Sequence, residues 1–152
     1  MKNGHGIMIL DPKDFNKCGN IWNMERQPNA RRWYEEVING SRITFIYTIN
    51  GEFIGEGSLV PENDDPDYTI TGKRIYLSRM AVKPPYRNQG IGSAIIDQLT
   101  VYAKGKGYRE MSLGVNADNS AARHLYEKKG FTEVIFHGRD EYGEYFKLLK
   151  KL

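Results

Sequence analysis

An arginine and two glycines, close together in the middle of the chain, are the residues with the clearest chemical potential. They lie in Arg87-Asn88-Gln89-Gly90-Ile91-Gly92-Ser93-Ala94, which follows an apolar run and opens an amphipathic segment. The first N–H groups of a helix lack intrahelical partners, and the helix dipole adds positive charge there. Glycine lets an anion approach the backbone, and Arg87 can add a bidentate contact. The stretch predicts a phosphate-binding helix start, with a helix that simply begins at two glycines as the alternative.

Two well-known phosphate loops do not fit this stretch. A dinucleotide-binding loop needs a third small residue where Ile95 stands, and the sequence contains no G-x-x-x-x-G-K-[ST] run. The pattern that remains is R-x-x-G-x-G.

A second block, from Asn116 to Phe131, follows a strand-like run and has the features of a short helix. Asp118 or Asn119 can cap its N-terminus, and Gly130 suits its C-terminal cap. Its apolar positions recur with helical spacing; they are Ala121, Ala122, Leu125 and Tyr126.

With both blocks in view, the chain resembles the GCN5-related N-acetyltransferase (GNAT) family. That family carries R/Q-x-x-G-x-G/A after its fourth strand and N-x-x-A-x-x-x-Y-x-x-x-G-F after its fifth. Both patterns occur here in order, the second at Asn119, Ala122, Tyr126, Gly130 and Phe131. The lead-in Met80-Ala81-Val82-Lys83-Pro84 also matches, and the resemblance is strong from about residue 43 to residue 136.

The resemblance implies acetyl-CoA as co-substrate, and the single cysteine, Cys18, gives no sign of a metal cluster. It implies that the backbone near Ala81 or Val82 polarises the thioester, and that Tyr126 protonates the departing thiolate; a packing role is the alternative for Tyr126. Asn116 and Asn119 are expected near the pantetheine arm, and Asn119 also suits the helix cap. The full set of expected cofactor-binding residues is Met80, Ala81, Val82, Arg87, Asn88, Gln89, Gly90, Ile91, Gly92, Ser93, Asn116 and Asn119.

The general base is not evident, because Tyr76, Ser78 and Arg79 stand where many family members carry an acid. Water or an acid from another segment would then take the proton. Four acids crowd the loop before that strand and could attract a cationic amine or could simply be solvated. They are Glu62, Asp64, Asp65 and Asp67.

The elements that must position these residues follow from periodicity and turn signals. Asn50-Gly51 predicts a type I′ hairpin. Strands are predicted over 7–10, 43–49, 53–60, 75–82, 111–115, 134–138 and 145–149, and helices over 13–24, 29–39, 91–104 and 120–129. These elements predict one α/β domain over residues 1–152. The resemblance implies a mixed sheet of six to seven strands flanked by about four helices.

Composition limits the function further. A net charge of +3 is too small to indicate nucleic acid, and no apolar run approaches the ~20 residues of a membrane span. With one cysteine, Cys18, and no signal core, a cytoplasmic protein is expected.

The leading hypothesis is an N-acetyltransferase acting on a primary amine of a small molecule. The alternatives are a protein N-terminal or lysine acetyltransferase, a non-catalytic acyl-CoA-binding module and, disfavoured by Ile95, a dinucleotide-binding domain. The resemblance leaves a homodimer open, because the final hairpin serves dimer contacts in many members.

Overall fold

A computed structural model describes residues 2–152, which form seven strands and three α-helices. The strands are β1 His5–Ile9, β2 Ile43–Ile49, β3 Glu52–Val60, β4 Arg74–Val82, β5 Glu110–Asn116, β6 Glu133–Asp140 and β7 Gly143–Lys151. The helices are α1 Ala30–Asn39, α2 Ile91–Gly105 and α3 Ser120–Lys128. Segments of 3₁₀ helix cover Pro12–Asn20, Met24–Arg26 and Pro84–Tyr86.

The strands form one mixed sheet in the order β1-β2-β3-β4-β5-β7-β6. β4 and β5 run parallel, whereas β1 with β2, β2 with β3, β5 with β7 and β6 with β7 are antiparallel. The predicted fold class is therefore confirmed. The sheet has seven strands, and the nine-residue 3₁₀ segment Pro12–Asn20 counts as a fourth helix beside the three α-helices.

The chain divides into two compact units. The first unit contains the chain up to Leu59 together with Arg79–Leu99, and the second contains Val60–Ser78 and Thr100–Leu152. Each unit is described separately below. The extent of a single domain over residues 1–152 stays a prediction.

In the first unit, the predicted β2–β3 hairpin is confirmed. Asn50 and Gly51 have φ angles of +50° and +82°, which is the left-handed backbone that a type I′ turn requires at both central positions. Asparagine and glycine are the residues that adopt this conformation at least cost, so the dipeptide fixes the turn.

The predicted helix over residues 13–24 was wrong in type and length. The structure has a 3₁₀ segment that ends at Asn20, and Asn23 caps a second short one by accepting from the N–H groups of Glu25 and Arg26. Phe15, Cys18 and Ile21 are all buried and stand three residues apart. A spacing of three matches the turn of a 3₁₀ helix, so burial of these side chains selects the tighter helix.

Helix α2 packs unusually close to β3 in the first unit. Its buried side chains include Ile91, Ile95 and Leu99. On β3, a Cβ added to Gly57 would lie 2.6 Å from Cγ2 of Ile95, and one added to Gly55 would lie 3.1 Å from Cγ2 of Ile91. A side chain at Gly57 would therefore force Ile95 to move, whereas one at Gly55 would make a tight contact with Ile91.

A buried carboxylate organises the strands of the second unit. Glu110 on β5 is 2% exposed and pairs in register with Arg74 of β4 and Lys151 of β7. Its carboxylate accepts from Nε of Arg74 at 3.1 Å and from Nζ of Lys151 at 2.5 Å, and Nζ of Lys73 lies 4.0 Å away. Three cations thus compensate for one desolvated acid.

Among the described residues 2–152, no helix is both long enough and apolar enough to cross a membrane.

Candidate active site

The predicted phosphate loop lies in the first unit, where the backbone forms an open concave turn. Asn88 and Gly90 have φ angles of +63° and +83°. Left-handed residues in such a turn direct successive N–H groups to one side, which is the arrangement that binds anions. No heavy atom lies within 4 Å of a Cβ built on Gly90, so the backbone there is open. The carbonyl of Gly90 accepts from the N–H of Ala94 at 3.0 Å, which places Gly90 at the start of α2.

The side chains of this loop are held by the backbone that precedes it. Nε of Arg87 donates to the carbonyl of Val82 at 3.0 Å, and Nε2 of Gln89 donates to the carbonyl of Pro85 at 3.4 Å. The bond from Arg87 engages only Nε of its guanidinium. Three features therefore fit a phosphate: helix N–H groups, an exposed glycine and an arginine fixed at its Nε.

The strand segment that leads into the loop is half-buried. Met80, Ala81 and Val82 all have intermediate exposure, and the N–H of Lys83 donates to the carbonyl of Ile54 on β3 at 2.8 Å. In the second unit, the parallel register of β4 with β5 comprises Arg74–Tyr76 with Glu110–Ser112, while β5 continues to Asn116. Pairing of Met80–Val82 with pantetheine stays a prediction.

Helix α3 of the second unit carries the predicted acid. Oδ1 of Asn119 accepts from the N–H of Ala122 at 3.2 Å, so Asn119 caps the helix as expected. Gly130 has a φ of +98° and ends the helix region, as the sequence predicted. The ring of Tyr126 packs edge-on against Phe131 with centroids 5.9 Å apart.

Tyr126 lines a pocket of about 450 Å³ in the second unit. Four tyrosine rings, two carboxylates and one lysine dominate its wall. The lining residues are Asp65, Tyr68, Tyr76, Gly114, Val115, Asn116, Asn119, Ala122, Tyr126, Asp140, Tyr145 and Lys147. The structure thus brings three of the predicted residues, Asn116, Asn119 and Tyr126, to one pocket. His124, two residues before Tyr126, is exposed and is not among the lining residues.

Burial, with a smaller contribution from Tyr76, raises the pKa of Tyr126 to about 12. The hydroxyl therefore stays protonated throughout the physiological range and can donate a hydrogen bond. A pKa of about 12 makes Tyr126 a weaker acid than an unperturbed tyrosine of pKa ~10 and a weaker acid than a free thiol of pKa ~8.5.

The acidic loop before β4 is ordered rather than simply solvated. Nζ of Lys147 donates to Oδ2 of Asp65 at 2.7 Å and to Oδ2 of Asp67 at 2.9 Å. The N–H of Asp67 donates to Oδ1 of Asp65 at 2.9 Å. Two of the four acids are thus already paired, whereas Glu62 and Asp64 are exposed. The hypothesis that all four acids attract a cationic acceptor therefore has to treat the exposed pair, Glu62 and Asp64, separately from the paired Asp65 and Asp67.

The positions where family members often carry a base have other roles here. Tyr76 lines the pocket of the second unit. Arg79, in the first unit, stacks over the rings of Trp22 and Trp33 at 5.1 and 4.5 Å, and its Nε lies 3.6 Å from Oε2 of Glu56. Burial raises the pKa of Glu56 against the opposing effects of Arg79 and of the hydrogen bond from Trp22. This cluster connects Trp22, which lies between the two 3₁₀ segments, and Trp33 of α1 to strands β3 and β4.

Cys18 belongs to the same buried region of the first unit. It is 1% exposed, and burial, followed by the charge of Glu56, raises its pKa to about 12. The thiol stays protonated, which supports the structural interpretation of this residue over a nucleophilic one.

Sequence reasoning missed five residues of the pocket as candidates for substrate contact: Tyr68, Tyr76, Asp140, Tyr145 and Lys147. One signal was available, because Lys147 interrupts the apolar run from Tyr145 to Leu149. A lysine inside a buried strand needs a partner, and two aspartates spaced by two residues supply one here.

A seven-stranded mixed sheet, an open turn with left-handed residues at the start of α2 and a half-buried tyrosine on α3 fit the class of acyl-CoA-dependent acyltransferases. The sequence matches the acetyltransferase (GNAT) family over residues 8–131. The chain belongs to that family, which confirms the family, fold and enzyme class expected from the sequence.

Among its relatives, the chain is 40% identical to the [ribosomal protein bS18]-alanine N-acetyltransferase of Escherichia coli (strain K12) over 117 residues, 74% of this chain and 73% of that one. It is 45% identical to the thialysine N-epsilon-acetyltransferase of Sus scrofa over 66 residues, 43% of this chain. The matched segment spans only 39% of that relative's length.

A solved structure of a GNAT family acetyltransferase from Elizabethkingia anophelis with acetyl-CoA bound has the same fold. It superposes with a TM-score of 0.73 at 17% identity, covering 99% of this chain and 100% of the other.

Proposed function

We propose that the protein transfers the acetyl group of acetyl-CoA to a primary amine of a small molecule by direct attack. Acetyl-CoA is the co-substrate. The observation that carries the proposal is the half-buried, protonated Tyr126 in a pocket of about 450 Å³, a size that suits a small ligand.

The first unit would bind the phosphate end of acetyl-CoA. The N–H groups of Gly90, Ile91, Gly92 and Ser93 would receive the pyrophosphate, with Arg87, Asn88 and Gln89 beside them. The backbone of Met80, Ala81 and Val82 would pair with the pantetheine arm, and the roles of Asn116 and Asn119 stay predictions of the sequence. These assignments rest on the family pattern and on the open turn at Gly90.

In the reaction, the neutral amine attacks the thioester carbonyl carbon, the C–N bond forms and the C–S bond breaks. The departing sulfur takes a proton from the hydroxyl of Tyr126, and the proton lost by the amine passes to water, from which Tyr126 is protonated again. With a pKa of about 12, Tyr126 does not release its proton early. It stabilises the sulfur as a hydrogen-bond donor and transfers its proton only as the amine loses one.

A thiol-release assay with acetyl-CoA tests the proposal directly. The panel should contain small monoamines, diamines, aminoglycosides and peptides that begin with alanine. We expect amine-dependent release of coenzyme A with the highest kcat/KM on a small amine. Binding of coenzyme A without any amine-dependent release would instead favour a non-catalytic acyl-CoA-binding module.

A second candidate acceptor is a protein N-terminus, and the similarity to the bS18-alanine N-acetyltransferase of Escherichia coli favours it. It predicts that alanine-initiated peptides exceed every small amine in kcat/KM and that residues beyond the first contribute to KM. A lysine side chain of a protein is a related acceptor that the same peptides test. A homodimer and a cytoplasmic location stay predictions of the sequence.

A further inference from the structure

The second unit contains a complete site for an alkylammonium ion, and the chain's own Lys147 fills it. Lys147 is 7% exposed, and its Nζ lies 2.7 and 2.9 Å from carboxylate oxygens of Asp65 and Asp67. The same nitrogen lies 5.1 Å from the ring centroid of Tyr68 and 4.5 Å from that of Phe136. Two carboxylates and two aromatic faces are the partners that stabilise a desolvated ammonium.

The site keeps this ammonium charged. Burial lowers the pKa of Lys147, but the hydrogen bonds to Asp65 and Asp67 more than offset this effect and leave the pKa above its ordinary value. The hydrogen bond from Lys147 in turn lowers the pKa of Asp65. The cation and its carboxylates are therefore matched, and removal of the cation alone would leave two unpaired acids.

The loop that supplies the two aspartates is fixed to the strands of the same unit. Nη1 of Arg74 donates to the carbonyl of Asp67 at 2.8 Å, and Oγ of Ser112 donates to the carbonyl of Tyr68 at 2.6 Å. A Cβ on Gly114 would lie 2.5 Å from the hydroxyl of Tyr68, so the bare glycine makes room for this ring. The site would therefore keep its shape when the lysine side chain is shortened.

This ammonium site borders the pocket that contains Tyr126. Lys147, Asp65 and Tyr68 line that pocket together with Tyr126 and Asp140. Truncation of Lys147 at Cβ would remove three methylenes and the ammonium, so the vacated space would join the pocket.

We propose that Lys147 is a specificity-determining residue. Its own ammonium group occupies a site that would otherwise bind the second ammonium of a diamine acceptor. The part that concerns acceptors rests on the proposed function, whereas the existence of the cation site does not. An acceptor amine must be neutral to attack, so a diamine reacts at one nitrogen and keeps the other charged. Wild-type protein should therefore favour amines without a second charge at that position.

The first experiment measures binding without turnover. In Lys147→Ala, thermal unfolding is followed in n-propylammonium chloride, which replaces the deleted atoms, and in 1-propanol, which is similar in shape but uncharged. We expect propylammonium to raise the Tm of Lys147→Ala and to leave the wild-type Tm unchanged at the same concentration. Equal shifts with propylammonium and 1-propanol would overturn the cation site.

A matched variant guards against a Lys147→Ala protein that folds poorly. Lys147→Ala combined with Asp65→Asn and Asp67→Asn removes the cation and both of its acids, so it should unfold at a higher temperature than Lys147→Ala. It should also lose the response to propylammonium. A triple variant that is less stable than Lys147→Ala, or that responds equally to the amine, would contradict the proposal.

The second experiment measures specificity. Diamines of three to five carbons are compared with n-alkylamines of the same length, and the ratio of their kcat/KM values is taken. We expect this ratio to rise by roughly tenfold or more in Lys147→Ala, the effect of one charge-assisted hydrogen bond, and to return towards the wild-type value in the triple variant. If propylammonium raises the Tm of Lys147→Ala but this kcat/KM ratio does not change, the specificity role of Lys147 is refuted. If the wild-type protein acetylates no amine, the proposed function is refuted. The Tm measurement with propylammonium would still decide whether the cation site exists.

Discussion

Under the proposed function, the two units recognise their ligands by different means. In the first unit, the turn at Asn88 and Gly90 offers backbone N–H groups, so the binding surface depends on φ angles more than on side chains. In the second unit, the pocket around Tyr126 is lined by residues from the β3–β4 loop, β4, β5, α3, β6 and β7. Backbone recognition is tolerant of neighbouring substitutions and can be read from a glycine pattern. Side-chain recognition is specific, and residues distant in the sequence determine it.

The largest effect should come from a substitution in the pocket around Tyr126. Tyr126→Phe keeps the ring packing on Phe131 and removes only the hydroxyl, so the protein should fold and bind coenzyme A nearly as the wild type does. Its kcat should fall by roughly 10²–10⁴, the usual range for loss of a positioned acid. Steady-state kinetics on the preferred amine measure this.

The pH profile sharpens the test of Tyr126. Because the pKa of this residue is raised to about 12, its hydroxyl should remain protonated in assays up to about pH 10, and wild-type kcat should show no loss from its ionisation there. A Phe variant with wild-type kcat would make Tyr126 a packing residue and would move the catalytic proton to water or to another group.

The scaffold of the second unit should be sensitive to its buried charge. Glu110→Gln leaves Arg74, Lys73 and Lys151 without their carboxylate, and we expect a loss of roughly 1–3 kcal/mol in the free energy of unfolding. Burial raises the pKa of Glu110, yet the bonds from Lys151 and Arg74 outweigh it, so the pKa lies below its ordinary value of 4.5. A lowered acid pKa contributes stability above the unfolded pKa and loses it as the pH falls through the folded pKa.

Urea unfolding of the wild type and of Glu110→Gln at neutral pH and at pH 3 checks this. The two proteins should differ most at neutral pH and converge in acid. A gap that widens on acidification would mean that the carboxylate is not ionised in the native protein.

A smaller effect is expected in the turn at Asn88 and Gly90 of the first unit. Its size should depend on whether the substitution covers the backbone or removes a side chain. Gly92→Val adds a branched side chain at the first turn of α2 and should weaken coenzyme A binding by tenfold or more, about 1.4 kcal/mol. Arg87→Ala should cost less, because the N–H donors remain. Calorimetry with coenzyme A compares the two. If Arg87→Ala cost more than Gly92→Val, recognition in the first unit would depend on side chains, and the contrast between the units would fail.

The smallest effect should follow neutralisation of the two unpaired acids of the β3–β4 loop. Glu62→Gln with Asp64→Asn should raise the acceptor KM by about twofold or less, because exposed charges are screened within ~10 Å at 0.1 M salt. The increase should vanish at 1 M salt, and acetyl-CoA affinity should stay constant. An increase that persists at high salt would indicate direct contact of Glu62 or Asp64 with the acceptor.

The same contrast explains how far the sequence predicted the structure. The Asn50-Gly51 turn, the start of α2 at Ile91 and the cap at Asn119 are local features, because a few adjacent residues determine each of them. The 3₁₀ form of Pro12–Asn20 was missed, since a spacing of three is chosen by packing rather than by propensity. Lys147 was missed because its partners stand some 80 residues earlier in the chain, and no local pattern links them.

The bare positions of β3 have a consequence for the rate and cost of ligand binding. A Cβ on Gly57 would lie 2.6 Å from Cγ2 of Ile95, so α2 packs closely against β3, and close packing of this kind resists movement of the helix. The N–H groups at its start are therefore preorganised before any phosphate arrives, and binding need not order them. Association with coenzyme A should accordingly proceed in a single kinetic phase whose rate rises linearly with ligand concentration, without a preceding conformational step.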